Sequence, residues 1–218
     1  MFRQVLYTQL KWSRLALALL SVLAFLMPAG LWRAVQGSYG RLYPALEVVS
    51  AFSMLGYALA LLAFFVGFIL VATGWQADAT TRHVYALSLP IPWSRYVALR
   101  FGAGAVLLAV PTVALFLGSL LVLSLITIPD SLQAYPVTLA ARFLLGSFVA
   151  YAGVFALQYI SGKRAAHLLL VALLAFTLTL VVLELLGQEA RLFAVLRALL
   201  QPPGPLAVFG AEWSLIDV

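Results

Sequence analysis

The residues able to do chemistry are few: two histidines, seven carboxylates and no cysteine in 218 residues. His83 and His167 fall in separate polar segments between apolar runs, and nothing places a third ligand with them. A metal site needs three or four donors, so none is expected. Without cysteine there is no thiolate ligand, no thiol nucleophile and no disulfide. The segment Ser161–Ala165, "SGKRA", carries the Gly-Lys of a phosphate-binding loop. However, Leu157 stands where the first glycine belongs and Arg164 where the hydroxyl belongs. No Gly-x-Ser-x-Gly elbow is present. No two carboxylates share an apolar run, which argues against a buried proton relay. The chain is therefore expected to be no enzyme and to hold no cofactor itself.

The background to these residues is strongly apolar: 65% hydrophobic and 9% charged, with a mean hydropathy of +1.09. A soluble domain of this length needs far more surface charge. The expected class is all-α, a polytopic helical membrane protein forming one transmembrane domain. Uncharged runs cover Leu15–Trp32, Val48–Ala77, Phe101–Pro129, Phe143–Gly162 and Leu168–Leu183. A membrane helix needs about 20 apolar residues, so five spans are predicted, over residues 14–34, 48–75, 97–128, 138–161 and 165–187. The first has a basic start and small residues in "MPAG", as a signal peptide would, but it is long for one and Trp32 and Arg33 follow directly. An uncleaved anchor is expected. The "QGSYGRLYP" segment, Gln36–Pro44, is expected to be an interfacial turn. The stretch 198–218, with three prolines in "PPGP", is expected to be an interfacial or re-entrant segment followed by a helix start.

Five spans divide the thirteen bases eight to five. Arg3, Lys11, Arg14, Arg82, Arg95, Arg100, Lys163 and Arg164 share one side; the other five bases share theirs with six of the acids. The excess of bases thus follows the positive-inside rule rather than marking a nucleic-acid surface, and it puts the N-terminus in the cytoplasm. Arg142, near the opposite interface, and Glu184, at the end of the fifth run, are candidate contacts for a substrate or lipid headgroup. The spacings Gly102/Ala103/Gly104 and Gly146/Ala150/Gly153 suit close helix packing.

One segment concentrates polar and turn-forming residues: "GWQADATTRHVYALSLPIPWSRYVALRF", Gly74–Phe101. Asp78 is placed to cap a short helix from Ala79 to about Leu87, with Val84 and Leu87 on one side and Arg82 projecting elsewhere. Pro90 and Pro92 force an extended break. Pro92 also suits the first turn of a following helix, which carries Trp93, Arg95, Tyr96 and Arg100 at the interface. The product is a rigid elbow over residues 78–92. A well-anchored loop and a receiver for a partner's push fit these residues equally.

With Asp78, Arg82, "YALSLP" (Tyr85–Pro90) and Arg95, the segment resembles the cytoplasmic coupling helix between spans two and three of type-2 ATP-binding-cassette exporter permeases. The terminal "FGAEWSLIDV" resembles the stretch those permeases carry between their fifth and sixth spans, and Met1–Ser13, with Phe2, Val5, Leu6 and Gln9, matches their N-terminal amphipathic helix. The family usually has six spans, and this sequence stops where the sixth would begin. The resemblance implies a permease half that pairs with a separate ATPase subunit, which holds ATP and Mg, and with a second permease copy or paralogue, among membrane lipid in a bacterial cytoplasmic membrane. It implies a coupling role for Asp78, Arg82, His83, Tyr85, Leu87, Pro90, Pro92 and Arg95. The alternative is a non-transport scaffold or anchor subunit of a larger membrane complex.

Overall fold

The computed structural model describes residues 1–38, 44–80, 92–125, 133–161, 171, 175, 194, 198, 207–210, 213 and 215–217. They are almost entirely helical: α1 (Phe2–Ser38), α2 (Pro44–Thr80), α3 (Trp93–Leu107), α4 (Ala109–Leu125), α5 (Pro136–Ser161) and α6 (Ala207–Gly210). Two short strands, β1 (Gln133–Ala134) and β2 (Ile216–Asp217), pair antiparallel, Gln133 opposite Asp217 and Ala134 opposite Ile216. The chain divides into two compact units, Met1–Val154 with Glu212–Val218, and Phe155–Ala211. In the second unit the described residues are helical and include α6.

Among the described residues, four stretches are long and apolar enough to cross a membrane: Phe2–Gly30, Ala58–Trp75, Trp93–Leu125 and Pro136–Ile160. The expected fifth span, 165–187, lies almost wholly outside the described residues. The solvation pattern is that of a membrane protein. Buried positions include Gln9, Ser13, Thr112, Ser119, Ser147 and Arg100, whereas Leu15, Leu19, Leu117 and Leu145 are exposed. Apolar side chains outside and polar ones inside suit a lipid solvent. This is an integral membrane protein.

One helix runs without a break from Phe2 through the apolar run expected to span from residue 14. Its buried stripe is Val5, Gln9, Ser13, Leu17, Leu20 and Ala24, spaced by three and four. Val5 and Gln9 lie on it as expected, but Phe2 is exposed. The stripe joins α1 to α2, α3 and α4.

The third span is broken once, at Leu108. Pro111 has no N–H to offer the Leu107 carbonyl four residues back, and its ring crowds that carbonyl. The chain stays near-helical there (Leu108 φ −62°, ψ −22°), and the Thr112 hydroxyl donates to Leu108 O at 2.8 Å. Three further buried hydroxyls bond inside their own helix, Ser13 to Gln9 O, Ser119 to Leu115 O and Ser147 to Phe143 O, whereas Ser21 Oγ on α1 meets no partner among the described residues.

Close approach depends on glycine. A methyl on Gly67 of α2 would lie 2.6 Å from Tyr151 N and 2.9 Å from Ala150 Cβ on α5. One on Gly118 of α4 would fall on the Phe25 backbone of α1. Of the expected packing glycines, Gly146 and Gly104 are in tight contact, whereas Gly153 has nothing within 4 Å of such a methyl. Gly118→Ala is therefore expected to lower stability by about 1–3 kcal/mol through overpacking. Gly153→Ala should be neutral or stabilising by up to about 1 kcal/mol, as an ordinary helix substitution. Thermal unfolding in detergent checks both, and equal effects would contradict the packing described.

After the short helix α6, the C-terminal stretch ends in an extended segment. Trp213 and Leu215 are buried, 4% and 1% exposed, and Ile216–Asp217 is extended against β1. Burial two residues apart is strand periodicity, and pairing satisfies the backbone: Tyr135 N donates to Leu215 O at 2.8 Å.

Candidate functional site

Helix ends of the first unit converge on one buried cation. α1 contributes Gln9 from its first turns, α2 contributes Gly74 and Trp75 near its end, α3 contributes Tyr96 and Arg100, and α5 contributes Tyr151. Arg100 lies about 10 Å along α3 from Trp93, at about 1.5 Å per residue. It is 4% exposed. Its guanidinium carbon sits 4.8 Å from the centroid of the Trp75 ring, and Nη1 donates to the Tyr96 hydroxyl at 3.5 Å. Gly74 leaves room for it: a methyl there would stand 3.3 Å from Nη2.

Magnitudes decide which contact matters most. An arginine at a helix centre costs about 2.5–3.5 kcal/mol on insertion scales. A desolvated cation–π contact contributes about 2 kcal/mol, so stacking on Trp75 offsets much of that cost. The Tyr96 bond is at the limit of hydrogen-bonding distance and contributes less.

Tyr151 closes the cluster from α5. Fully buried, its hydroxyl donates to Phe101 O at 3.1 Å, with Arg100 O at 3.5 Å. Its ring lies across α3 where Gly104 carries no Cβ, since a methyl there would be 2.7 Å from Cε2. Phe101 stacks beside it with centroids 5.3 Å apart. One tyrosine thus ties α5 to α3. The arrangement fixes a positive charge among four helices. Among the described residues no group of three His, Cys, Asp or Glu side chains is placed to hold a metal.

The residues singled out from sequence stand elsewhere. α2 continues to Thr80, so Asp78 lies in its last turn instead of capping a new helix; no proline interrupts Glu47–Thr80 to end it sooner. Arg82, His83, Tyr85, Leu87 and Pro90 lie outside the described residues, as do His167 and Glu184. Pro92 precedes α3 in extended conformation (φ −62°, ψ 144°), and its carbonyl accepts from Arg95 N and Tyr96 N at 3.0 and 3.1 Å. Arg95 is exposed in the first turn, and Arg142 is half-buried on α5.

Charge counting places Arg100 on the cytoplasmic side of its span, and the structure buries it inside the bundle about two turns from the start of α3. Two signals in the sequence mark it: Tyr96 stands four residues before it on one helix face, and Gln9 and Ser13 interrupt the apolar stripe of α1. Its partners Trp75 and Tyr151 come from distant segments, which no local pattern links. Comparison with known protein families, characterised proteins and solved structures finds no match to this chain.

Proposed function

We propose that this protein is the permease half of an ATP-binding-cassette transporter in a bacterial cytoplasmic membrane, working with a separate ATPase subunit and a second permease copy or paralogue. ATP and Mg belong to the ATPase, and the charge-poor spans suit a hydrophobic cargo. The observation that carries this is the tie between Trp75 and Arg100. These residues stand near the end of α2 and in the second turn of α3, the two limbs that meet at the segment 81–91. A partner pressing on that segment shifts both limbs, and the cation stacked between them passes the displacement to Tyr151 on α5 and Gln9 on α1. Positive charge on the same side, from Arg82, His83 and Arg95, faces acidic patches of the ATPase. Single surface pairs contribute only about 0–1 kcal/mol, so the seating of Tyr85, Leu87, Pro90 and Pro92 in a groove matters more.

Purification of the tagged chain from its native membrane in mild detergent, with mass spectrometry of bound proteins, tests this. A stoichiometric ATP-binding-cassette ATPase is expected, lost when 78–92 is disrupted. Respiratory or structural partners in its place would favour the scaffold alternative. Tyr85→Ala with Pro90→Ala should lower partner-stimulated ATP turnover more than Arg82→Ala does; equal losses would count against a rigid elbow.

A further inference from the structure

Beyond the cation cluster, α1 carries a second charged feature near its start. Arg3, Lys11 and Arg14 are exposed there, and with the exposed Tyr7 they are spaced by four, four and three. At about 100° per residue the four fall within an arc of about 80°, on the side of the helix turned away from the buried Val5, Gln9 and Ser13. Glu47 is the first carboxylate in the chain, so α1 holds no counter-ion of its own. α3 and α4, which pack against α1, carry none either. α2 ends with Asp78 in its last turn, but it meets α1 on the Gln9 side, at Gly74. Lys11 and Arg14, three residues apart, are neighbours of like charge on the helix surface. Such a pair works against the helix unless an anion lies between them.

The same side of α1 changes solvent within one turn. After Arg14 it continues as Leu15, Ala18, Leu19 and Val22, all exposed. In an integral membrane protein an exposed apolar face is wetted by acyl chains, so the step from Arg14 to Leu15 marks the level of the headgroups. Packing keeps the start of α1 near that level. The Phe2 ring lies against α3 at Gly102, where a methyl would stand 3.6 Å from Cε2, and Gly102 belongs to the uncharged run that begins at Phe101. The first turns of α1 therefore lie beside the membrane entry of α3 instead of reaching out into water.

We propose that this side of α1 is a docking surface for anionic phospholipid. Lys11 and Arg14 clasp one headgroup phosphodiester, Arg3 reaches a neighbouring one on its long side chain, and the Tyr7 hydroxyl stands between them as a donor. The acyl chains of the same lipids run along Leu15, Leu19 and Val22. Charge complementarity selects this occupant: bases gathered at headgroup depth meet a layer of phosphates. A soluble acidic protein would match the bases and leave the exposed apolar half of the face uncovered. The inference needs only the membrane setting and is independent of the transport reading.

Native mass spectrometry of the full chain in detergent tests it, with separate titrations of phosphatidylglycerol and of phosphatidylcholine bearing the same acyl chains. A base near an anionic layer is worth about fivefold in affinity, so a headgroup held between Lys11 and Arg14 should favour the anionic lipid by at least about tenfold. Lys11→Gln with Arg14→Gln should reduce that preference to below about threefold. Lys163→Gln with Arg164→Gln removes as much charge, from residues that charge patterning puts on the same side, and should leave the preference in place. Equal losses in the two pairs would mean a response to net charge and overturn the docking surface. Equal affinity of the unmodified chain for the two lipids would overturn it as well. Displacement of the lipid by inorganic phosphate at equal concentration would mean a simple anion site and overturn the lipid assignment. If the Lys11→Gln, Arg14→Gln chain does not fold, Lys11→Gln alone takes its place, with a loss of about fivefold expected and no loss counting against the surface.

Discussion

Trp213→Ala should be the most destabilising single change at the C-terminal end, by about 3–5 kcal/mol. The indole fills a notch made by two helices that each present glycine. A methyl on Gly56 of α2 would stand 3.2 Å from Trp213 Cβ, and one on Gly146 of α5 would stand 3.0 Å from Cη2. The notch is lined by backbone, which cannot collapse into the space that the ring vacates, so the cavity cost adds to the lost transfer free energy. The melting temperature in detergent should fall by about 10 °C. Gly146→Leu fills the same notch from the other side and should displace the ring at similar cost. In the double variant the leucine occupies the space that the ring vacates, so the protein should melt above the worse single variant. A Trp213→Ala protein within about 1 kcal/mol of the parent would mean that the β1–β2 pairing holds the segment without the indole.

Arg100→Met should do the opposite: leave the fold intact and remove function. Exchange of a buried charge for an apolar side chain of similar length is often neutral or stabilising by about 1–4 kcal/mol, and the insertion cost of arginine disappears. Trp75 keeps an apolar neighbour in the thioether side chain, but the cation–π contact and the bond to Tyr96 are lost. Under the proposed transport function, ATP turnover stimulated by the permease should drop at least about tenfold, with a melting temperature equal to or above the parent's. Arg100→Lys keeps the charge without the planar face that stacks on indole and should recover only part of the turnover. Loss of stability in the methionine variant would make Arg100 a structural residue, and full turnover in it would remove Arg100 from coupling altogether.

How much of this was legible beforehand differs by feature. The all-α membrane class follows from composition and run length alone, because lipid demands long uncharged helices whose backbone bonds close internally. The limits of α2 and α3 were legible only in part. Pro92 marks the start of α3 through its fixed φ, but Asp78 reads as a cap only if the helix has ended, and local sequence did not show that α2 continues to Thr80. The break at Leu108 is written in Pro111, a signal that hydropathy does not register. Strand periodicity in Trp213 and Leu215 was equally visible, but two buried residues are too few to outweigh a helical context.

The sequence by itself determined that this chain lives in a membrane and does so as long apolar helices, since hydropathy and charge are sums over neighbouring residues. Tertiary structure alone decided that Arg100 is interior, that Trp75 and Tyr151 stand against it, and that Gln9 is buried beside them. Those relations join α1, α2, α3 and α5 across separations of tens of residues, and a side chain's solvent is set by which helix packs beside it. In a membrane that choice is barely written in hydrophobicity, because lipid and a neighbouring helix are almost equally apolar. Glycines at positions 67, 104 and 118 made it instead, by letting particular helices approach where any larger residue would hold them apart.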